Sequence, residues 1–113
     1  MSNLRNKVQL IGYVGNAPEV VQLESGKKVA NFTMATNDSY RNANGDKVED
    51  TQWHNLVVWG KLTDVVEKHV KKGKELVVQG KLTTRSYDDK EGNKKYITEI
   101  IINELLFVGA KKE

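Results

Sequence analysis

The chain has 113 residues and a mass of 12.8 kDa, which is the size of one domain with its own hydrophobic core. It contains no cysteine and two histidines, which excludes disulfides, a thiolate nucleophile and a Cys/His metal site. The net charge of +3 suits a polyanionic partner but does not establish one. No apolar stretch reaches the roughly 20 residues of a membrane span, and the N-terminus lacks a secretory apolar region, so we expect a cytoplasmic protein.

The first half of the chain has the spacing of β-strands separated by turns. A first strand is predicted from residue 7 to 15, and a short extended piece at 20–23 leads into a turn at Gly26. In 29–36, apolar and polar residues alternate with the period of a half-buried strand. Residues 37–50 are polar and contain an Asn-Gly-Asp turn signal, which predicts a mobile hairpin arm.

The next predicted strand, 51–60, carries both tryptophans of the protein. Because side chains alternate along a strand, Trp53, Asn55 and Trp59 share one face, while His54 lies on the other. A single tryptophan in a strand is more often a core residue. Two indoles on a face that also carries an amide favour a surface that binds a ligand.

The second half contains one predicted helix and two long strands. Apolar residues in 62–70 follow helical spacing, with acidic residues in the first turn and basic residues followed by glycine at the end. Residues 75–87 form a strand that we expect to bend at Gly80. A second polar hairpin tip follows at 88–93, and 95–106 form the last strand.

This order of elements predicts an all-β protein with one helix. The expected fold is a five-stranded OB-fold Greek-key barrel, with the helix between strands 3 and 4. We expect the barrel domain to occupy residues 1–109 and to be followed by a short charged C-terminal end at 110–113. OB-folds bind their ligands through one sheet face and the adjoining loops.

Aromatic and basic side chains are interleaved on the elements expected to form that face. Single-stranded nucleic acid exposes flat bases and a charged backbone, so a binder without sequence preference needs aromatic platforms in a positively charged groove. Any one lysine is more simply a solvated surface charge, but the interleaved set favours nucleic-acid binding. The candidates are the aromatic residues Tyr40, Trp53, Trp59 and Tyr87, and the basic residues Arg5, Lys7, Arg41, Lys61, Lys72 and Arg85.

Several stretches carry a family resemblance that covers nearly all of the chain. They are NKVQLIGYVGNAPEV, VANFTMATNDSYR, TQWHNLVVWGKL, VKKGKELVVQGKLTTRSY and the last strand. In these stretches the chain resembles the bacterial and phage single-stranded DNA-binding proteins. The resemblance implies that the aromatic candidates stack on bases and that the basic candidates line the path of the DNA. It also implies a homotetramer with His54 in the subunit interface.

The chain differs from the best-known members of that family at several of these positions. Tyr40 and Tyr87 stand where those members have Trp, and Trp59 stands where they have Phe. We therefore expect stacking to persist with a different distribution along the DNA strand. Asn55 stands where a basic residue is familiar, so one phosphate contact of the family is not carried over.

The resemblance implies sequence-independent binding and protection of single-stranded DNA in replication, recombination and repair, without catalysis, cofactor or metal. Three alternatives stay open: a primosomal OB-fold protein of the same family, an enzyme such as a small nuclease or phosphotransferase, and a structural oligomer without strong nucleic-acid binding. The sequence has no acidic metal cluster and no glycine-rich phosphate loop, and His54 has no nucleophile or partner motif to act with. We expect the protein to be associated with the nucleoid.

The end of the chain leads to a further expectation. Relatives continue past the barrel into a flexible segment with an acidic tip that recruits replication and repair proteins, whereas this sequence ends in GAKKE. We therefore expect no tail-dependent recruitment of such partners, and no acidic tip that competes with DNA for the basic groove.

Overall fold

The computed structural model of the protein describes residues 3–108. Over this range, a 3-10 turn at Asn3–Asn6 precedes six strands and one α-helix. The strands are β1 (Val8–Val14), β2 (Glu19–Gln22), β3 (Lys28–Arg41), β4 (Lys47–Trp59), β5 (Glu75–Asp88) and β6 (Lys94–Phe107), and the helix α1 (Leu62–His69) lies between β4 and β5. The predicted charged end at 110–113 lies outside the described residues.

Five of the strands in this range close into a barrel. The order of hydrogen-bonded neighbours is β1, β5, β6, β4 and β3, and β1 pairs again with β3 to close the ring. The pairing of β4 with β6 is parallel, and the others are antiparallel. The four residues of β2 form only an added edge beside β3. The predicted five-stranded OB-fold is confirmed, with the helix between the third and fourth strands of the barrel.

The core fills the barrel with side chains from alternate strand positions. Met34 and Leu56 are at most 1% exposed, and α1 packs on β3 and β4 with Val66 and Thr63 fully buried. The Thr63 hydroxyl donates to the Gly60 carbonyl at 2.6 Å, so this buried polar group is satisfied. Because even-numbered positions of β4 face this core, the odd-numbered positions face outward.

The predicted bend in the long fifth strand is present at Gly80. Before this residue β5 pairs with both β1 and β6, and its register against β6 shifts between Gln79 and Gly80. A Cβ atom at Gly80 would collide with the carbonyl oxygen of Ile101 on β6. Glycine is therefore required where the two backbones approach this closely.

The first hairpin arm contains longer strands than predicted. The boundary expected at residue 37 is wrong, because β3 continues to Arg41 and β4 begins at Lys47. Pairing runs without a break from Asn37 opposite Thr51 to Arg41 opposite Lys47. Most side chains on both sides of this hairpin arm are exposed, so the arm does not need alternating apolar residues. Its backbone hydrogen bonds form whatever the polarity of the side chains.

The tips of both hairpin arms are closed by the same turn. The side-chain oxygen of Asn42 accepts the backbone N–H groups two and four residues later, and the side chain of Asp89 does the same in the second arm. Gly45 and Gly92 occupy equivalent positions, both with a φ of 86°. The turn predicted from the Asn-Gly-Asp signal is confirmed, and asparagine and aspartate side chains close each tip.

Candidate nucleic-acid interface

Trp53 and Trp59 lie on one outward side of β4, Trp53 at the middle of the strand and Trp59 at its last residue. Trp53 is 62% exposed and Trp59 is 44% exposed, which rules out the alternative that they are core residues. At roughly 3.3 Å per residue, the stretch of strand between them is about 20 Å long. Asn55 lies between them and is also exposed. The two indoles can therefore contact different bases of one extended strand.

The loop after β1 supports the ring of Trp53. A Cβ atom at Gly15 would collide with the six-membered part of the indole, so the ring lies directly against the backbone there. Asn16 holds this loop to β3, because its side-chain oxygen accepts hydrogen bonds from the Thr33 N–H at 2.9 Å and from the Thr33 hydroxyl at 2.6 Å. The loop thus supports the indole, and the exposed remainder of the ring is available to a base.

A groove of about 390 Å³ connects β4 to the outer half of β5. The parallel pairing of β4 with β6 sets Asn55 beside Glu99, and the β5–β6 register sets Thr83 on the other side of Glu99. Trp59 and Arg85 line the same groove. The fold therefore brings an aromatic and a basic candidate together with a carboxylate that was not predicted.

Glu99 holds Arg85 within this groove. The side chain of Glu99 is 8% exposed, whereas that of Arg85 is 58% exposed. The Nε–H of Arg85 donates to Oε1 of Glu99 at 3.0 Å, and its Nη2–H donates to Oε2 at 3.1 Å. These hydrogen bonds and then the charge of the carboxylate raise the pKa of Arg85 above its ordinary value. The guanidinium is therefore permanently charged and fixed in one plane.

Tyr87 extends the same face along the second arm. It lies on the same side of β5 as Arg85, since the two are separated by one residue. Tyr87 is 47% exposed and is paired across the arm with Lys95. Sequence reasoning did not select Lys95, whose ammonium lies 3.9 Å from the carboxylate of Asp89.

The register places Tyr40 on the other side of the first arm. The β3 partner of Trp53 is Ala35, and Tyr40 follows Ala35 by five positions, which is an odd offset along the strand. The two aromatic side chains therefore leave the ribbon on opposite sides, although Tyr40 is 56% exposed. Arg41 leaves β3 on the same side as Ala35, because the two are six positions apart. Its guanidinium donates a hydrogen bond to the Gly45 carbonyl at 2.8 Å. A DNA strand that contacts both aromatics must pass around the arm.

The basic candidates nearest the N-terminus gather beside the middle of β5. Arg5 and Lys7 line a depression of about 340 Å³ together with Lys81, which sequence reasoning missed. Asn6 attaches this segment to β5, because its side chain both donates to and accepts from the backbone of Leu82. Strand alternation could have identified Lys81, because it lies on the same side of β5 as the candidates Arg85 and Tyr87.

Lys61 follows Trp59 closely in the sequence, and Lys72 lies in a turn attached to the strand end that precedes the loop beside Trp53. Lys61 is exposed in the turn that directly follows Trp59. Lys72 is exposed in the turn between α1 and β5, and two backbone hydrogen bonds attach this turn to Val14, next to the loop that supports Trp53. Neither lysine forms an ion pair with another described residue.

His54 lies on the inward side of β4, as strand alternation predicts. It is half-buried opposite Met34, and its Nε2 is 3.0 Å from the hydroxyl oxygen of Thr36. Its role in a subunit interface stays a prediction.

Residues 3–108 provide neither a side-chain cluster for a metal ion nor a helix for a membrane span. This part of the chain contains no group of three or more His, Cys, Asp or Glu side chains placed to hold a metal ion. None of its helices is long and apolar enough to cross a membrane.

Known proteins have similar sequences. The chain is 47% identical to single-stranded DNA-binding protein 1 of Chlorobaculum tepidum, over 94% of this chain and 66% of the relative. It is 44% identical to the single-stranded DNA-binding protein of Bacteroides thetaiotaomicron, over 94% of this chain and 67% of the relative. The chain thus spans about two thirds of the length of both relatives.

The fold is shared as well. The solved structure described as Plasmodium falciparum SSB complex with ssDNA superimposes with a TM-score of 0.85 and 36% sequence identity, over 96% of this chain and 99% of that one. The Single-strand binding protein family matches residues 5–108, which is nearly the whole described range. The sequence, the barrel and this match together establish that the chain belongs to the single-strand binding protein family.

Proposed function

We propose that this protein binds single-stranded DNA without sequence preference and protects it in replication, recombination and repair, without catalysing a reaction. The observation that carries this proposal is the pair of exposed indoles on one side of β4. Stacking on an aromatic ring tolerates any sequence, because every base has a π-face. The two bacterial relatives named for single-stranded DNA binding and the solved complex support the same ligand.

The proposed path follows β4 from Trp53 to Trp59 and crosses the groove to Tyr87. A strand on this path passes the exposed nitrogen atoms of Arg85 and then the second arm. Basic groups along the path neutralise phosphates. We further propose that the protein acts in the cytoplasm in association with the nucleoid. The proposed stacking residues are Tyr40, Trp53, Trp59 and Tyr87, and the proposed backbone contacts come from Arg5, Lys7, Arg41, Lys61, Lys72, Lys81 and Arg85.

Binding is expected to weaken as salt rises. Each phosphate neutralised on a single strand contributes roughly 0.7 to the slope of log affinity against log salt. Titration of the intrinsic tryptophan fluorescence with poly(dT) at several salt concentrations measures both this slope and the quenching by stacked bases. Lys81→Gln is expected to reduce the slope by about 0.7, because Lys81 lies with Arg5 and Lys7 beside the path.

Lys68→Gln is the matched control for that variant. It removes the same charge from an exposed position on α1, outside the proposed path, and should leave the slope unchanged. Equal slopes for the original protein and the Lys81 variant would show that Lys81 does not neutralise a phosphate of the DNA. A salt response that is flat for all three proteins would contradict the electrostatic part of the proposed function.

We also propose that the protein is a homotetramer. An apolar row crosses three strands on the β1 side of the barrel, with Ile11 opposite Val77 and Val77 opposite Leu106. Ile11 is 54% exposed and Leu106 is 67% exposed. Contiguous exposed apolar surface favours burial against another protein surface. The relation to the family supports four subunits.

His54 is proposed to lie at the border of this association surface. Its hydrogen-bond partner Thr36 lies beside Gly12, since a Cβ atom at Gly12 would be 3.3 Å from the Thr36 methyl group. Gly12 directly follows Ile11 on β1. A larger side chain at position 54, as in His54→Tyr, is therefore expected to disturb the association together with the β1 strand.

Ile11→Glu is expected to convert the tetramer into smaller species. A charged side chain in a subunit interface must lose its water without gaining a partner, which is strongly unfavourable. Light scattering at a fixed protein concentration measures the mass. Val21→Glu is the matched control, because Val21 is 45% exposed on β2, away from the apolar row, and should leave the mass unchanged. A monomer mass for the unsubstituted protein would refute the tetramer.

A further inference from the structure

Glu99 introduces a buried negative charge into a face that we propose to bind a polyanion. Among residues 3–108 it is the one charged residue that is buried, with 6% of its surface exposed. Burying a carboxylate is costly unless it is paired and hydrogen-bonded. Its position in the groove beside Trp59 also opposes the attraction of DNA phosphates. The pairing of Glu99 therefore determines what this part of the face contributes to binding.

The geometry of the ion pair leaves Arg85 able to contact a ligand. The contact with Glu99 is made from one edge of the guanidinium, by Nε and one Nη2 hydrogen. The hydrogens of Nη1 and the second hydrogen of Nη2 face away from the carboxylate. Because the Arg85 side chain is 58% exposed, these donors are accessible from the groove. They are also held in one orientation before any ligand arrives.

Arg85 is the only charged partner that the described residues provide for this carboxylate. The strand neighbours of Glu99 in the ladder are Asn55 on one side and Thr83 on the other, and both are neutral. The pair therefore has a net charge of zero. A basic residue without such a partner attracts DNA as a free charge and displaces counterions, whereas a neutral pair does not.

We propose that Glu99 is a positioning residue for the binding of single-stranded DNA, because it orients Arg85 and cancels its charge. Arg85 then contacts the strand through directed hydrogen bonds and adds no net charge to the face. This inference rests on the proposed function. In this respect Arg85 differs from Lys7, Lys61 and Lys81, which contribute to binding as free charges and make the affinity depend on salt.

The test compares the salt dependence of poly(dT) binding in the original protein, Glu99→Gln, Arg85→Gln and the double variant. Glu99→Gln removes the negative charge, so the slope should steepen by about 0.7. The double variant restores a neutral pair, so its slope should equal that of the original protein. Its affinity should be roughly tenfold lower at every salt concentration, since the directed hydrogen bonds of Arg85 are lost.

A different pattern would overturn the inference. If Arg85 bound phosphate as an independent charge, the double variant would lose about 0.7 of slope and Glu99→Gln would leave the slope unchanged. Arg85→Gln leaves a buried carboxylate unpaired and destabilises the fold, so the decision rests on Glu99→Gln and the double variant. Thermal unfolding without DNA confirms that each variant is folded.

Glu67→Gln is the matched control, because it removes a carboxylate from an exposed position of α1 outside the groove. Its slope should equal that of the original protein, and an increase equal to that of Glu99→Gln would show a general charge effect and overturn the inference. Failure of the original protein to bind poly(dT) at low salt would instead refute the proposed function. The two failures are therefore distinguished by separate measurements.

Discussion

Trp53→Ala and Trp59→Ala are each expected to weaken poly(dT) binding by roughly 1–3 kcal/mol. Each indole presents a flat apolar surface to solvent on the outward side of β4. Removing the ring removes the stacked base and leaves the charges in place, so the loss should be similar at low and high salt. Because the residues lie about 20 Å apart, the double variant should lose the sum of the two effects within about 0.5 kcal/mol.

These variants lose tryptophan fluorescence, so the affinity is measured from the anisotropy of a fluorescein-labelled oligonucleotide. Tyr96→Ala is the matched control. Tyr96 is 68% exposed and pairs with Ser86, so it leaves the second arm on the side opposite Tyr87. Its removal should change the affinity little. Full affinity in both tryptophan variants would show that the DNA does not follow β4.

Gly80→Ala is expected to lower the free energy of unfolding by about 3 kcal/mol, at the upper end of the cost of overpacking. The added Cβ atom would meet the carbonyl group of Ile101 and lie 3.0 Å from the Cα atom of Ile102. These atoms belong to the backbone of β6 and cannot rotate away as a side chain does. The two strands must therefore separate at the position where the pairing of β5 with β1 ends and its pairing with β6 continues.

Urea unfolding in the absence of DNA measures this loss. The variants are compared at one protein concentration, because the proposed subunit association would make stability depend on concentration. Lys81→Ala is the control at the adjacent position, where the exposed side chain can be shortened at a cost within about 0.5 kcal/mol. An unchanged midpoint for Gly80→Ala would mean that the barrel tolerates a wider separation of β5 and β6.

The position of the Trp53 ring depends on Gly15, a residue without a side chain. Gly15 allows the indole to lie against the loop after β1, and Asn16 holds that loop to Thr33. A ring supported in this way has fewer orientations to lose when a base stacks on it. The glycine at position 15 therefore belongs to the proposed binding face, although it presents no side chain to the ligand.

Strand alternation accounts for the predicted arrangement of candidate side chains that the structure confirms. The shared side of Trp53 and Trp59 follows from the two-residue period of a single strand, and so does the shared side of Arg85 and Tyr87. The predicted bend at Gly80 is likewise local in the sequence. Such patterns need no knowledge of which strands become neighbours, so the sequence alone is sufficient to determine them.

The boundaries of the first arm and the side on which Tyr40 lies required the structure. Polar residues in an exposed ribbon carry no alternation, so the sequence contains no signal for strands that run to Arg41 and start at Lys47. The side of Tyr40 relative to Trp53 depends on the register of β3 against β4, which the turn around Asn42 sets. A shift of one residue in this register would reverse the result.

The sequence by itself determined the barrel fold through the order of its elements and the family resemblance, and it determined the outward side of both tryptophans through the two-residue period of a strand. Only the tertiary structure decided that Glu99 lies beside Arg85 and that Lys81 joins Arg5 and Lys7. Those neighbours depend on the β5–β6 register, the shift at Gly80 and the attachment of Asn6 to β5. Contacts between distant parts of a chain are set by strand pairing and packing, and a local pattern does not contain that information.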